Sequence, residues 1–465
     1  MPRARRRLVV VSNRGPYRVQ SSGGRRRLVR AAGGLVAALD PVLRGRGGVW
    51  VSTGDGELGE ALEEGGESLP YEIAQVRLPR AVREGFYEGV SNAMLWPILH
   101  SMPATVRMSG PAFDTYESAN RAFCDALLSS TRAGDLIWIH DFHLMLMPAM
   151  VRQQRPKARI GWFCHIPWPS SDIFRILPWR RWLLEGLLGA DLLGFHTDAY
   201  AQNFLRCVVD LVPDSQVDFS RMTVRCGRRT LRVVVAPIGV PLDAIQTMAA
   251  DPQVSADMER IQKTVDHRRI ILGVDRLDYT KGIPQRLLAF EQLLRSDRSA
   301  RNRYVLVQIM VPSRTDVKAY ADLKTNIDQL VGDINGRYAS AGRIPIQYFY
   351  RNLPPAQLYA HYRAADVALV TPLRDGMNLV ALEYVACRIH GGGVLVLSEF
   401  AGAAQYLQSA LQVNPYDTHA LAQSLKTALA MPQDKARARM NELRAEVHKL
   451  DVHRWADDYL EQLER

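Results

Sequence analysis

Cysteine is scarce and unpaired in this 465-residue chain: five residues, Cys124, Cys164, Cys207, Cys226 and Cys387, an odd number without a C-x-x-C pair. This argues against a disulfide framework and a structural zinc site, and leaves reduced, mostly buried thiols as the expectation. Long hydrophobic runs are missing as well. Stretches such as residues 394–397 end within a few positions, far short of the roughly 18 residues that span a bilayer, so neither a transmembrane segment nor a membrane partner is expected. No low-complexity tract dominates and no solenoid-length repeat recurs, which removes the disordered, fibrous and solenoid classes. With 47% hydrophobic and 23% charged residues, the composition is that of a globular protein whose length suits two or three domains.

Acidic residues are fewer than basic ones, 48 against 59, giving a net charge of +11. Such a balance invites a nucleic-acid reading, but the excess sits in Arg3, Arg5, Arg6 and Arg7 and in Arg25, Arg26, Arg27 and Arg30, a tail and an early basic loop without interleaved aromatics. A solvated face or an attraction for phosphorylated small molecules explains it as well, so no nucleic-acid partner is expected. The basic start followed by Leu8-Val9-Val10-Val11 superficially resembles a signal peptide. Asn13 and Arg14 interrupt the apolar part too soon, and a buried strand behind a basic tail, in a cytoplasmic protein, is expected.

Short β-branched runs alternate with amphipathic helical stretches. Strands are predicted at 8–12, 135–139, 158–163 and 231–236, then at 270–274, 304–310, 346–348, 367–371 and 394–397, with helices at 34–43, 434–450 and 451–465. The alternation predicts an α/β fold of parallel sheets covered by helices. Pro237-Ile238-Gly239-Val240-Pro241 breaks it, predicting an N-terminal domain over 1–240, a second over 241–448 and a final helix, 449–465, packed back on the first.

Ligands in such sheets bind beyond the carboxyl ends of the strands, so the loops there carry the functional reading. Ser12-Asn13-Arg14-Gly15-Pro16 follows the first strand, and Ala32-Gly33-Gly34-Leu35 opens a helix whose N-terminus suits an anion. Trp138-Ile139-His140-Asp141-Phe142-His143 and Phe163-Cys164-His165-Ile166-Pro167 place titratable groups at two strand ends. One such histidine is most often a hydrogen-bonded core residue, whereas two clusters favour a shared cleft, and the His140 and His143 spacing is not that of a helical zinc motif. Arg276-Leu277-Asp278-Tyr279-Thr280-Lys281-Gly282 puts two cations in one loop, suited to a diphosphate; the alternative is a solvated loop in which Arg276 pairs with Asp275 or Asp278. In Thr371-Pro372-Leu373-Arg374-Asp375-Gly376-Met377-Asn378-Leu379, Asn378 is a predicted N-cap. Asp375 and Glu383 could accept hydrogen bonds from sugar hydroxyls and a ribose diol.

Together these blocks, with Asp191-Leu192-Leu193-Gly194-Phe195 and Asn414-Pro415-Tyr416-Asp417, resemble the retaining glycosyltransferases of the α,α-trehalose-phosphate synthase type along nearly the whole chain. The resemblance implies a GT-B fold, two Rossmann-like domains facing each other across a cleft, with no cofactor and no catalytic metal. It implies donor contacts from Arg276 and Lys281 to the diphosphate, Glu383 to the ribose, and Asp375, Asn378 and Leu379 to the hexose and phosphate, with Gly34 reaching the phosphates and His165 the donor sugar. The acceptor sugar phosphate would meet Arg14, Tyr87, Trp96, Asp141 and Arg314; His165, Arg276, Lys281 and Asp141 would be catalytic. The implied reaction moves glucose from a nucleoside-diphosphate glucose, a substrate rather than a cofactor, to glucose 6-phosphate. The sequence departs from the family's W-x-G-W-like acceptor segment, reading Val49-Trp50-Val51-Ser52-Thr53-Gly54. Glycerol 3-phosphate and a cyclitol phosphate therefore stay open as acceptors, a non-catalytic sugar-phosphate sensor as another class of function, and the donor base and a homo-oligomeric state as open choices.

Overall fold

Leu8, Val9, Val10 and Val11 have no exposure at all. A strand buried on both faces reads as a continuous apolar run, and this one is central in a parallel sheet. In the computed structural model, which describes residues 6–22, 25–30, 34–54, 58, 69–314, 317–340 and 342–465, the chain divides into two compact units, Met1–Ile238 with Val452–Arg465, and Gly239–Asp451. Among the described residues no helix is long and apolar enough to cross a membrane.

Unit 1 contains β1 (Leu8–Val11), β2 (Tyr17–Ser22), β3 (Arg25–Arg30), β4 (Val49–Thr53), β5 (Glu72–Val76), β6 (Leu136–His140), β7 (Arg159–Phe163), β8 (Leu192–Phe195), β9 (Ser215–Asp218), β10 (Thr223–Cys226) and β11 (Arg229–Val235). Nine of them form one sheet in the order β5-β4-β1-β6-β7-β8-β11-β10-β9. It is parallel from β5 to β11, with Val10 opposite both Trp50 and Trp138, and closes with an antiparallel meander through β10 and β9. The remaining two strands correct a sequence expectation: the early basic segment is not a loop but a separate antiparallel hairpin, with Tyr17 opposite Arg30 and Ser22 opposite Arg25.

The last helix, Val452–Glu464, belongs to unit 1. Its Tyr459 stacks on Trp138 at 4.8 Å, its hydroxyl lies 3.0 Å from the carbonyls of Trp162 and Leu192, and Trp455 Nε1 donates to the Ala236 carbonyl at 3.1 Å. Gly161 on β7 and Gly194 on β8 leave the room: a side chain at either would run into the Tyr459 ring or hydroxyl.

Unit 2 holds β12 (Arg269–Arg276), β13 (Tyr304–Val311), β14 (Ile346–Tyr350), β15 (Val367–Val370), β16 (Val394–Ser398) and β17 (Leu411–Val413), in the order β14-β13-β12-β15-β16-β17. Every pairing is parallel. The carboxyl ends of the central pair, β12 and β15, deliver the two loops on which the functional reading rests.

Candidate active site

In unit 2, β12 ends with Asp275 buried and Arg276 exposed. Among the described residues the ion pairs of Asp275 and Asp278 are with Arg286 and Arg314 rather than with Arg276. The turn that follows is built by Asp278, whose Oδ1 accepts from Thr280 N at 3.0 Å and from the Thr280 hydroxyl at 2.9 Å. Burial would raise the Asp278 carboxyl; the charges of Arg314, Lys281 and Arg276 outweigh it and hold the group below the usual carboxylate range. Gly282, at φ +64°, then starts the helix Ile283–Ser296. A side chain there would overlap the Thr371 carbonyl oxygen, so only glycine lets the loops after β12 and β15 come this close.

The two loops are joined through Thr280 and Lys281. Leu373 N donates to the Thr280 carbonyl at 2.7 Å. Lys281 Nζ meets Asp375 Oδ2 at 2.6 Å, and Asn378 Nδ2 donates to the same oxygen at 2.9 Å. The expected N-cap is present, with Asn378 Oδ1 accepting from Ala381 N at 3.3 Å in front of the helix Leu379–Cys387, and it adopts the left-handed conformation, φ +73°, that Asn tolerates better than most residues. One loop thus carries an exposed Arg276 and a Lys281 aligned by Asp375, and the other leads into a helix N-terminus, a combination that suits a diphosphate and the sugar attached to it. Glu383, a turn into that helix, accepts from the Tyr362 hydroxyl at 3.0 Å. Burial pushes its carboxyl up to about 7, with the tyrosine hydrogen bond opposing. Arg314 also lies in unit 2, buried against Asp278 Oδ2 at 3.4 Å and bonded to the Tyr320 hydroxyl.

In unit 1 the strand-end residues converge. Arg14 Nη2 donates to the Tyr87 hydroxyl at 2.6 Å, and Tyr87 stacks on His143 at 5.9 Å. Trp96 is buried with its ring 5.8 Å from Phe142. Asp141 has φ +73°; the strained backbone is held because its N–H donates to the Phe163 carbonyl at 2.8 Å, its carbonyl accepts from Trp162 Nε1 at 3.2 Å and its Oδ1 accepts from His165 N at 3.3 Å. His165 Nε2 lies 3.0 Å from His140 Nδ1. Burial lowers both rings, His140 to about 3 and His165 well below its ordinary value with help from the neighbouring His140 and His196, so His165 is a neutral hydrogen-bonding group. Gly34 is exposed at the start of the helix Gly34–Arg46; Ala32 and Gly33, read with it, lie outside the described residues. Unit 1 thus joins Arg14 to Tyr87 and Asp141 to His165, and unit 2 joins Lys281 and Asn378 through Asp375 and Arg314 to Asp278, with Arg276 on the first of its two loops and Leu379 and Glu383 on the helix after the second.

Sequence reasoning missed Tyr362 and Arg286, which no motif contains. It also assigned no part to His143, although the Trp138–His143 block includes it.

Comparison with known proteins fits this geometry. The model of glycosyltransferase family 20 matches residues 6–465. A trehalose-6-phosphate synthase of Mycobacterium marinum is 42% identical over 469 residues, covering 98% of this chain and 93% of that protein. A bifunctional trehalose-6-phosphate synthase/phosphatase of Thermoproteus tenax is 40% identical over 473 residues, covering 98% of this chain, which spans only 63% of that protein's length. The crystal structure of an α,α-trehalose-phosphate synthase (UDP-forming) from Burkholderia xenovorans in complex with glucose-6-phosphate aligns with a TM-score of 0.90 and 36% identity, covering 99% of this chain and 100% of that one. The expected α/β class, with two Rossmann-like units of the GT-B type, is therefore the observed one. Because the match runs unbroken from the first strand through both strand-end loops to the last helix, the chain belongs to glycosyltransferase family 20.

Proposed function

We propose that this protein transfers glucose from UDP-glucose to glucose 6-phosphate with retention at the anomeric carbon, forming α,α-trehalose 6-phosphate and UDP. The carrying observation is the pair of loops in unit 2, where Arg276 stands exposed in the loop that carries Lys281 while Asp375 and Asn378 fix the lysine and the helix N-terminus. The names of the similar proteins, a UDP-forming synthase with glucose-6-phosphate among them, support the choice of donor and acceptor. The bond between the anomeric carbon and the diphosphate oxygen breaks, the acceptor hydroxyl oxygen bonds to that carbon on the same face, and its proton passes to the departing diphosphate. Arg276 and Lys281 counter the charge that develops on the leaving group, the kind of stabilisation that contributes most to such reactions. Glu383 accepts from the ribose hydroxyls, and neutral His165 hydrogen-bonds the hexose. Arg14, with Tyr87 and Trp96, holds the acceptor, and Arg314 adds a second cation for its phosphate.

The test is a matrix of UDP-, ADP- and GDP-glucose against glucose 6-phosphate, glycerol 3-phosphate and a cyclitol phosphate, with product identification. Trehalose 6-phosphate from UDP-glucose is the expected outcome. Glucosylglycerol phosphate as the sole product would replace the acceptor, and no product from any pair would leave the sensor reading.

A further inference from the structure

Beneath the two donor loops lies a side chain with no exposure at all, Arg286 on the helix Ile283–Ser296. Its Nη1 meets Asp275 Oδ2 at 2.5 Å and donates to Gln308 Oε1 at 3.0 Å, and its Nε donates to the Thr371 hydroxyl at 3.1 Å. The three acceptors come from separate segments: the end of β12, β13, and the first residue after β15. Asp275 is followed directly by Arg276, and Thr371 begins the loop that ends in Asp375 and Asn378. All three are buried, and Gly273 on β12 makes the space, since a side chain there would collide with Arg286 Nη1 and Gln308 Oε1.

Burying a guanidinium is costly, and an ion pair in such a place is seldom kept for stability, because apolar residues of similar volume do as well or better. What a planar fork supplies, and a lysine or an apolar side chain does not, is fixed geometry between several acceptors at once. We infer that Arg286 is a positioning residue for transfer: by tying Asp275 and Thr371 to one rigid group, it sets where Arg276 and Lys281 stand relative to Asp375 and Asn378. The inference rests on the donor reading above and deepens it, since a diphosphate gripped from two loops needs their spacing fixed to a fraction of an ångström.

The experiment is calorimetric titration of the full chain with UDP, paired with steady-state kinetics and thermal melting, on the wild type, R286K, T371V and R286M/D275L. R286K keeps the charge and loses the fork, and T371V removes a single acceptor at nearly constant volume. R286M/D275L replaces the buried pair by apolar groups. Expected is a UDP Kd raised about tenfold or more in R286K and T371V, with the KM for glucose 6-phosphate within about twofold of wild type. The double variant should recover the melting temperature without recovering UDP affinity. If R286K does not fold, T371V and the double variant decide. Wild-type UDP affinity in the folded variants, or recovery of affinity together with stability in the double variant, overturns the inference while leaving the donor reading intact. A wild-type protein that binds no UDP overturns the donor reading and this inference with it.

Discussion

Glu383 is the residue whose chemistry is most sensitive to conditions. Its carboxyl is raised from an ordinary value of 4.5 to about 7 by burial, so in the free protein it holds a proton where the unfolded chain does not. The sign follows: the stability this group contributes is complete below about pH 4.5 and is lost as pH rises through about 7. Chemical denaturation between pH 4.5 and 8 should show wild type losing stability relative to E383Q across that window, by an amount on the order of 3 kcal/mol. If UDP ribose donates to the ionised carboxylate, binding near neutral pH expels a proton, which titration in buffers of different ionisation enthalpy will register and E383Q should abolish. R276A and K281A should each lower turnover by about a hundredfold or more with melting temperature preserved, since their charge matters most as the diphosphate departs. Unchanged kinetics in both would remove them from the chemistry. The residues that could be read beforehand, Lys281, Asp375 and Asn378, sit in unbroken strand-end motifs. Tyr362 and Arg286 could not be read, because Tyr362 reaches Glu383 across 21 positions and Arg286 reaches Thr371 across 85, and such pairs exist only once the sheet has formed.

Among the elements, the parallel strands were the most legible. Apolar runs such as 8–11 and 394–398 announce themselves because both faces are covered. The hairpin of β2 and β3 was not, because a run of arginines reads as solvent-facing loop while strand pairing is a property of two segments. The available signal was the dipeptide Gly23-Gly24, which as sequence alone is a hairpin cue. Equally hidden was the close approach of the loops after β12 and β15, which depends on Gly282. G282A forces a side chain into φ +64° and against the Thr371 carbonyl, so it should destabilise unit 2 by more than about 1 kcal/mol and weaken UDP binding at the same time. G332A, at a helical glycine with open space around it, is the control. It should leave binding as it was.

At the scale of the whole molecule, the two units have separate sheets and separate cores, yet the chain crosses between them twice: once at Ile238–Gly239 and again at Asp451–Val452, before the final helix. That helix covers β6, β7 and β8 through Tyr459 and Trp455, so unit 1 is completed only by a segment that follows the whole of unit 2 along the chain. Two-state unfolding is not the expectation for such an arrangement, and calorimetry should resolve contributions that respond to different perturbations. UDP at a hundred times its Kd should stabilise unit 2 by about 2.7 kcal/mol, moving its transition upward. Y459A should leave that shift in place and lower the unit 1 transition, because removing a fully buried aromatic side chain costs about 3–5 kcal/mol; Y459F, which loses only the hydroxyl, should cost about 1 kcal/mol. Hydrogen exchange would assign each transition, with amides of β6 to β8 losing protection in Y459A and those of β12 to β16 unaffected. A single transition that moves as a whole with both UDP and Y459A would instead mean that the two cores unfold as one cooperative block.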